Sequence, residues 1–209
     1  PLAYDANPTQ REMDLAASVQ LVLEEVVVKL VRSAARETGR KNLCLAGGVA
    51  LNCVANGRLL REEIFDKIWI QPAAGDAGGA LGAALVAHYA ETKERRASGD
   101  GMQGAYLGPS YSEVEIESAL KGCGAVFEKH SEAGLLEECV RDLQSEKAVG
   151  WFQGRMEFGP RALGARSILA DPRSARMQLD LNLKVKFRES FRPFAPAVRE
   201  EDARDWFDL

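Results

Sequence analysis

Three arginines in one stretch rich in glycine and proline could act together on an anionic ligand. They are Arg155, Arg161 and Arg166 in "GWFQGRMEFGPRALGARSILADPR". A guanidinium group binds phosphate or carboxylate oxygens two at a time, and a glycine-rich frame lets several arginines approach one ligand. We assign the neighbouring Ser167 to cofactor binding. Residues 153–167, called the Gly-Pro-Arg loop below, are therefore predicted to bind a phosphate-bearing ligand.

Further cations follow in the stretch "LNLKVKFRESFRPFAPAV", namely Lys184, Lys186 and Arg188. On a β-strand, residues two apart share a face, so a strand here would gather these three cations. Between residues 153 and 199, ten Lys or Arg outnumber four Asp or Glu, although the whole chain has a net charge of -4. Such an excess indicates an anionic ligand. The three cations and the three arginines are our candidate catalytic residues.

Two other interpretations of these cations remain open. The arginines could form surface ion pairs with Glu157, Asp171 and Glu189, or the basic stretch could bind nucleic acid. Cations at two-residue steps on a strand repel each other, which favours a bound anion over surface pairs. Only Phe187 and Phe191 could stack on bases, so a nucleic-acid partner is not expected.

Two glycine turns elsewhere indicate a phosphate site built from the backbone. The stretches "AGGVALNCVANGRLL" and "PAAGDAGGALGAAL" each place paired glycines between an apolar run and a helical pattern. At such a turn, unpaired N–H groups meet the positive end of a helix dipole, and glycine lets phosphate oxygens approach. A nearby asparagine could add a side-chain hydrogen bond. The candidate cofactor-binding residues are Gly47, Gly48, Asn52, Gly78 and Gly79.

An aspartate, Asp76, begins the second helical pattern and would lie at the mouth of this cleft. Its carboxylate could bind a metal ion or orient a hydroxyl group. It could also be an ordinary helix N-cap, and Gly79 and Gly82 could serve close helix packing. Ligands in open parallel sheets bind at the carboxyl ends of the strands, and both turns occupy such ends, which favours a binding site.

The segments around the glycine turns alternate between strand and helix patterns. A long amphipathic helix is predicted from a capping box at Thr9 and Glu12 to a stop at Gly39. Two strand-turn-helix units follow, beginning with "NLCLAG" and "DKIWIQP", and they predict an α/β fold with parallel strands. The apolar stripe of the long helix consists of Leu15, Val19, Val22, Val26, Leu30 and Ala34.

A polar, glycine-rich stretch, "KERRASGDGMQGAYLGPS", predicts a domain boundary. We place one domain at residues 1–97 and a second at 98–209. In the second domain, helices are predicted in "SYSEVEIESALKGCG" and "EAGLLEECVRDLQSEK", and strands in "AVFEKH" and "AVGWFQG".

Composition limits the class of protein. No apolar run reaches the roughly 18 residues of a membrane span, and no signal-peptide pattern is present, so we predict a cytoplasmic protein without a membrane partner. The four cysteines lack CxxC spacing and sit in apolar contexts, which favours reduced, buried thiols. The chain begins without Met, and we expect it to be part of a longer protein.

The glycine turns resemble a known family. "LAGGVALNCVANGRL" followed by "GDAGGALGAAL" is similar to the C-terminal half of the Kae1-like domain of the O-carbamoyltransferases, the group of nodulation protein U and antibiotic carbamoyltransferases. This resemblance implies a partial actin/hexokinase-like ATPase domain. It also implies that Gly47, Gly48 and Asn52 contact the nucleotide, and that Asp76 is one ligand of a divalent metal ion, iron or magnesium. The family's other metal ligands are histidines, and neither histidine of this chain matches their motif.

The basic region resembles the α+β YrdC-like domain of the same family, through "GRMEFGPRALGARSILADPR" and "KFRESFRPFAP". The resemblance extends from about Met13 to Val198. It implies that this domain joins carbamoyl phosphate to ATP as carbamoyladenylate, and that the Kae1-like domain transfers the carbamoyl group to a hydroxyl group. The implied ligands are ATP, carbamoyl phosphate and a small-molecule hydroxyl acceptor. A homodimer is compatible with the sequence.

Two rival functions remain open. A sugar-kinase-like ATPase would use the glycine turns alone, would carry the second region as a regulatory domain, and would ignore carbamoyl phosphate. A non-enzymatic module would bind structured RNA through the basic face, with an affinity that falls steeply with salt. Neither function requires the Gly-Pro-Arg loop beside a strand of cations, so the sequence favours the carbamoyltransferase.

Overall fold

The computed structural model of the chain describes residues 7–92 and 99–207. Its first part contains α1 (Gln10–Thr38), β1 (Asn42–Leu45), α2 (Cys53–Arg61), β2 (Lys67–Ile70) and α3 (Asp76–Thr92). Its later part contains α4 (Glu113–Gly122), α5 (Glu132–Gln144), β3 (Val149–Phe152), β4 (Arg166–Leu169), α6 (Met177–Asp180) and α7 (Ala203–Trp206). Short 3₁₀ turns cover Gly48–Leu51, Gln103–Ala105 and Glu200–Asp202, and a π-helical turn covers Leu181–Val185.

The strands form two small sheets. β1 pairs with β2 in parallel, with Leu43 opposite Ile68 and Leu45 opposite Ile70, and β3 pairs with β4. In β1 and β2, half-buried residues alternate with exposed ones, as expected for strands covered on one face. The predicted mixed α/β fold and the predicted parallel pairing of the first two strands are therefore confirmed.

The long helix α1 ends where the sequence predicts. Gly39 has a φ of +60°, and its N–H donates to the carbonyl oxygen of Ala35 at 2.9 Å. Glycine is favoured in this left-handed conformation because it has no Cβ to clash with the backbone. The α4 helix lies within the predicted helical stretch and begins with a capping box between Ser112 and Glu115.

The main hydrophobic core of the described residues lies between α1, α2 and the first sheet. Its buried members are Val28, Val31, Leu59 and Phe65. The apolar stripe of α1 does not contribute to this core, because its members from Leu15 to Leu30 are 48 to 68% exposed. The helix is apolar on two sides, so apolar spacing alone does not say which side is buried.

The chain divides into two compact units. The first compact unit consists of Arg11–Phe127 and Trp151–Ser167, and the second contains Glu128–Gly150 and residues 168–207. The Gly-Pro-Arg loop thus belongs to the same unit as the two glycine turns. The domains at 1–97 and 98–209 are inferred from sequence motifs, whereas the two compact units are defined by contacts in space. The domain boundary therefore stays a prediction.

Two further expectations are corrected by the structure. Residues 125–130, "AVFEKH", have no strand structure. The four cysteines are free as expected, but they are not buried: Cys44, Cys53 and Cys123 are exposed, and Cys139 is half-buried.

Among the described residues, no helix combines the length and the apolar character needed to cross a membrane.

Candidate functional site

The two glycine turns are joined directly. The N–H of Gly47 donates to the carbonyl oxygen of Ala74 at 2.7 Å. The N–H of Gln71 donates to the carbonyl oxygen of Leu45 at 3.1 Å. The turns therefore form two adjoining walls at the carboxyl ends of parallel β1 and β2. Because the Gly47 N–H bonds to the second turn, its hydrogen bond serves the fold. A Cβ at Gly47 or Gly48 would meet no atom within 4 Å, so the space beside both residues is open.

Asn52, a predicted nucleotide contact, is engaged by two protein partners. Its side-chain oxygen accepts from the N–H of Ala55 at 3.0 Å and so caps α2. Its side-chain amide also exchanges two hydrogen bonds with the amide of Gln20 in α1, at 2.8 and 3.2 Å. These bonds explain Asn52 as a residue that ties α2 to α1. Its contact with a nucleotide stays a prediction.

The glycines at the start of α3 differ in what surrounds them. A Cβ at Gly78 would lie 2.2 Å from the carbonyl oxygen of Ala73, so no side chain fits there. A Cβ at Gly79 would meet no atom within 4 Å. Gly78 is therefore required by packing of the turn, whereas the surface beside Gly79 is open to a ligand.

Asp76 is the first residue of α3, and its side chain is exposed. No group of three or more His, Cys, Asp or Glu residues that could hold a metal ion occurs in residues 7–92 and 99–207. His88 is exposed on α3 against the ring of Tyr89, and His130 lies 3.5 Å from Glu128. One exposed carboxylate does not make a metal site, so these residues do not fit a metal ion without further ligands.

The Gly-Pro-Arg loop packs on the second glycine turn and on the segment before α4. Gly159 has a φ of +109°, and a Cβ there would lie 2.8 Å from the Cβ of Ala73. The N–H of Phe158 donates to the carbonyl oxygen of Ala105 at 2.6 Å. At Gly108, a Cβ would lie 2.7 Å from the carbonyl oxygen of Met156. Glycine at two positions thus allows three segments that are distant in sequence to touch.

Glu157 is the buried charged group of this loop, with 6% of its surface exposed. Its Oε1 accepts hydrogen bonds from the backbone N–H groups of Leu163, Ala165 and Arg166, at 2.7, 2.8 and 3.3 Å. Burial raises the pKa of Glu157, but the backbone donors outweigh it, and the pKa is lowered from its ordinary value. The carboxylate therefore stays ionised at neutral pH, and its bonds close the loop on itself.

The three arginines of the loop have different environments. Arg155 donates to the carbonyl oxygen of Gly108 at 2.7 Å. Arg166 donates to the carbonyl oxygens of Gln153 and Gly154, and its guanidinium carbon lies 3.3 Å from the centre of the Phe152 ring. Both side chains thus support the loop. Arg161 is exposed and makes no side-chain hydrogen bond or ion pair within the described part of the chain. Ser167 accepts from the N–H of Gly164 at 3.0 Å.

The predicted strand of cations is wrong. Leu181–Val185 is a π-helical turn, and Phe187 has a φ of +48°, so Lys184, Lys186 and Arg188 do not alternate along a strand. Lys184 pairs with Asp180 at 2.9 Å, one helical turn earlier. Lys186 is exposed, and its side chain has no hydrogen bond or ion pair in residues 7–92 and 99–207.

Asn182, which the sequence did not single out for this role, organises the segment that carries these cations. It has no exposed surface. Its side-chain N–H groups donate to the carbonyl oxygens of Ser190 and Arg192, at 3.0 and 2.8 Å. Its oxygen accepts from Nε of Arg188 at 2.7 Å, and that guanidinium also lies over the ring of Phe194. Its place between Leu181 and Leu183 is the signal that the sequence offers for a buried polar residue.

A cavity of about 610 Å³ lies beside α3 in the first compact unit. Its polar side chains bond within the protein. Gln71 accepts from the N–H of Ala73, and Asp100 accepts from the N–H groups of Met102 and Gly104. The apolar lining includes Trp69, Leu81, Leu85, Met102 and Leu107.

Comparisons with known proteins agree with both motif regions. A family model described as "Carbamoyltransferase N-terminus" matches residues 3–85, and one described as "Carbamoyltransferase C-terminus" matches residues 140–209. The first range contains both glycine turns, and the second contains the Gly-Pro-Arg loop and the later cations. The chain belongs to the carbamoyltransferase family, as its motifs predict.

Curated relatives match nearly the whole chain. Protein sll1178 of Synechocystis sp. is 58% identical over 205 residues, which cover 96% of this chain and 33% of that protein. Nodulation protein NolNO of Sinorhizobium fredii is 46% identical, over 96% of this chain and 29% of its own length. Nodulation protein U of the same organism is 36% identical, over 93% of this chain and 33% of its own length. The chain thus spans about a third of the length of these relatives.

Proposed function

We propose that this chain is part of an ATP-dependent O-carbamoyltransferase, in which Arg161 and Lys186 bind phosphate groups. One observation carries the assignment of these two residues. Both side chains are exposed, and neither has a hydrogen bond or ion pair among the residues that the structure describes. Their neighbours Arg155, Arg166 and Lys184, by contrast, bond to the protein. Cations left without protein partners suit a polyanionic ligand.

The first reaction forms carbamoyladenylate in the YrdC-like region, residues 98–209. Hydrolysis of carbamoyl phosphate gives carbamate and phosphate. A carbamate oxygen then attacks the α-phosphorus of ATP, and the bond to the β-phosphate oxygen breaks, so pyrophosphate leaves. Both substrates are anions, and cations around the reacting phosphates reduce their repulsion and stabilise the charge of the transition state.

The second reaction transfers the carbamoyl group in the Kae1-like region, residues 1–97. The acceptor hydroxyl oxygen attacks the carbamoyl carbon, AMP leaves, and the hydroxyl proton is released. The open surfaces beside Gly48 and Gly79 support a nucleotide site there. We assign to Asp76 the orientation of the acceptor hydroxyl group, because its exposed carboxylate begins α3 beside these surfaces.

Replacing Arg161 or Lys186 with alanine should slow the first reaction. We expect the exchange of pyrophosphate into ATP, dependent on carbamoyl phosphate, to fall at least about 50-fold, because a phosphate loses a charged hydrogen-bond donor. The measurement is the exchange of labelled pyrophosphate catalysed by the full-length protein.

Arg141→Ala is the matched control, since Arg141 is exposed on α5 and pairs only with Glu138 among its described neighbours. It should leave the exchange rate within about twofold of the wild type. If pyrophosphate exchange were unchanged in both test variants, neither Arg161 nor Lys186 would bind the reacting phosphate groups. ATP turnover that ignores carbamoyl phosphate would instead favour the kinase-like function.

Asp76→Asn should separate the two reactions. Asparagine also caps helices well, so this substitution removes the charge while leaving the start of α3 intact. We expect transfer to the acceptor to fall at least about 30-fold and pyrophosphate exchange to stay unchanged, because the charged oxygen that holds the acceptor is lost. Transfer at the wild-type rate, measured as carbamoylated product per minute, would mean that Asp76 only begins the helix.

A further inference from the structure

We infer that Glu157 is a positioning residue that holds the Gly-Pro-Arg loop in the conformation that presents Arg161 to the ligand. This inference rests on the proposed function, in which Arg161 binds a phosphate group. Glu157 acts from inside the loop and bonds to the backbone on the far side of Arg161. The loop has neither helix nor strand from residue 153 to residue 165, so its shape depends on such contacts.

The carboxylate of Glu157 is used in an unusual way. A buried carboxylate is usually paired with a cation or a metal ion, because burying an unpaired charge is costly. Here three backbone N–H groups, from Leu163, Ala165 and Arg166, converge on one oxygen. The arginines on either side are engaged elsewhere, Arg155 with Gly108 and Arg166 with Gln153 and Gly154. The charge of Glu157 therefore serves the loop backbone.

Arg161 lies between two fixed points of the loop, so the contacts at these points restrict its backbone. Arg161 lies four residues after Glu157 and two residues before Leu163. The loop is fixed before it by Phe158 on Ala105 and by Gly159 on Ala73, and after it by the bonds to Glu157. A short segment held at both ends loses most of its backbone freedom before a ligand arrives, which lowers the entropic cost of binding. The backbone that carries Arg161 is thus preorganised, although the Arg161 side chain itself makes no hydrogen bond or ion pair in the described residues.

A double-mutant cycle between Glu157→Gln and Arg161→Ala tests this inference. Glutamine keeps the size of the side chain and one acceptor oxygen but weakens the bonds to the backbone donors. In the full-length protein we expect Glu157→Gln alone to lower kcat/KM for ATP in pyrophosphate exchange about 10-fold. With Arg161→Ala already present, Glu157→Gln should lower it by less than about twofold, because the group that it positions is gone. A general loss of structure would instead lower both backgrounds equally.

Two further measurements separate the role of Glu157 from a general effect of lost charge and from unfolding. As the charge control, Glu138→Gln removes an exposed carboxylate on α5, which pairs with Arg141, and should leave pyrophosphate exchange unchanged. Amide hydrogen exchange at Leu163 and Ala165 should be at least about 10-fold faster in Glu157→Gln, while the amides of β1 and β2 keep their protection. If the wild type catalyses pyrophosphate exchange but the losses in kcat/KM from Glu157→Gln and Arg161→Ala are additive, this inference is overturned and the proposed function stands. A wild-type protein without pyrophosphate exchange would overturn the proposed function and this inference with it.

Discussion

Gly78→Ala is expected to destabilise the chain by about 3–5 kcal/mol, whereas Gly79→Ala should stabilise it by about 0.5–1 kcal/mol. The two residues are neighbours in the same turn of α3, and the substitution is the same. The expected difference comes from what their added Cβ would meet. At Gly78 it would lie 2.2 Å from the carbonyl oxygen of Ala73, and at Gly79 no atom lies within 4 Å.

The clash at Gly78 is with backbone, which makes it hard to relieve. The N–H of Gly78 donates to the same Ala73 oxygen at 2.8 Å, so moving the helix away breaks that bond. Ala73 also supports Gly159 of the Gly-Pro-Arg loop, so any shift of the turn is passed to the loop. At Gly79, alanine only reduces the backbone entropy of the unfolded chain and improves helix propensity.

Urea unfolding followed by circular dichroism at 222 nm would measure both substitutions. The midpoint should fall for Gly78→Ala and rise for Gly79→Ala, with similar slopes. Equal effects of the two variants would contradict the packing described for α3. Gly79→Ala carries a second expectation from the proposed nucleotide site: it should weaken ATP binding even as it stabilises the fold, because a methyl group then occupies the open surface.

Asn182→Ala should destabilise the chain by about 2–4 kcal/mol. The substitution leaves the carbonyl oxygen of Ser190 without its side-chain donor, leaves that of Arg192 with Gln178 as its side-chain donor, and removes the acceptor for Nε of Arg188. Asn182 is fully buried, so water cannot replace these bonds without a rearrangement of the segment. The measurement is the free energy of unfolding in urea, together with the hydrogen-exchange protection of residues 181–192.

Asn56→Ala is the matched control for this prediction. Asn56 is half-buried in α2, and its side-chain amide makes one hydrogen bond, to the carbonyl oxygen of Ala50 at 2.8 Å. We expect it to cost about 1 kcal/mol. If Asn182→Ala cost no more than Asn56→Ala, Asn182 would not be the centre of its segment.

Local elements of the fold were predictable because their causes lie within a few residues. The stop of α1 at Gly39, the capping box of α4 and the start of α3 at Asp76 follow from backbone sterics and from hydrogen bonds to near neighbours. The parallel pairing of β1 and β2 follows from the alternation of strands with helices.

The structure departs from the simplest interpretation of a sequence pattern where distant residues decide the outcome. The stripe from Leu15 to Leu30 has helical spacing, but the core contacts the opposite side of α1, through Val28 and Val31. The cations from Lys184 to Arg188 have strand spacing, but Asn182 and its bonds to Ser190 and Arg192 hold this segment in a π-helical turn and a loop. A periodic pattern states which residues share a face and leaves open what that face meets.

By itself, the sequence determined the family, the order of most helices and strands, and the two motif regions, because these depend on residue type and short spacing. Only the tertiary structure decided what each motif residue bonds to. It joined Gly47 to Ala74, placed Gly159 on Ala73, and turned Glu157 toward the backbone of its own loop. These contacts join segments up to 86 residues apart in the chain, and their energies come from burial and close packing, which no local pattern encodes.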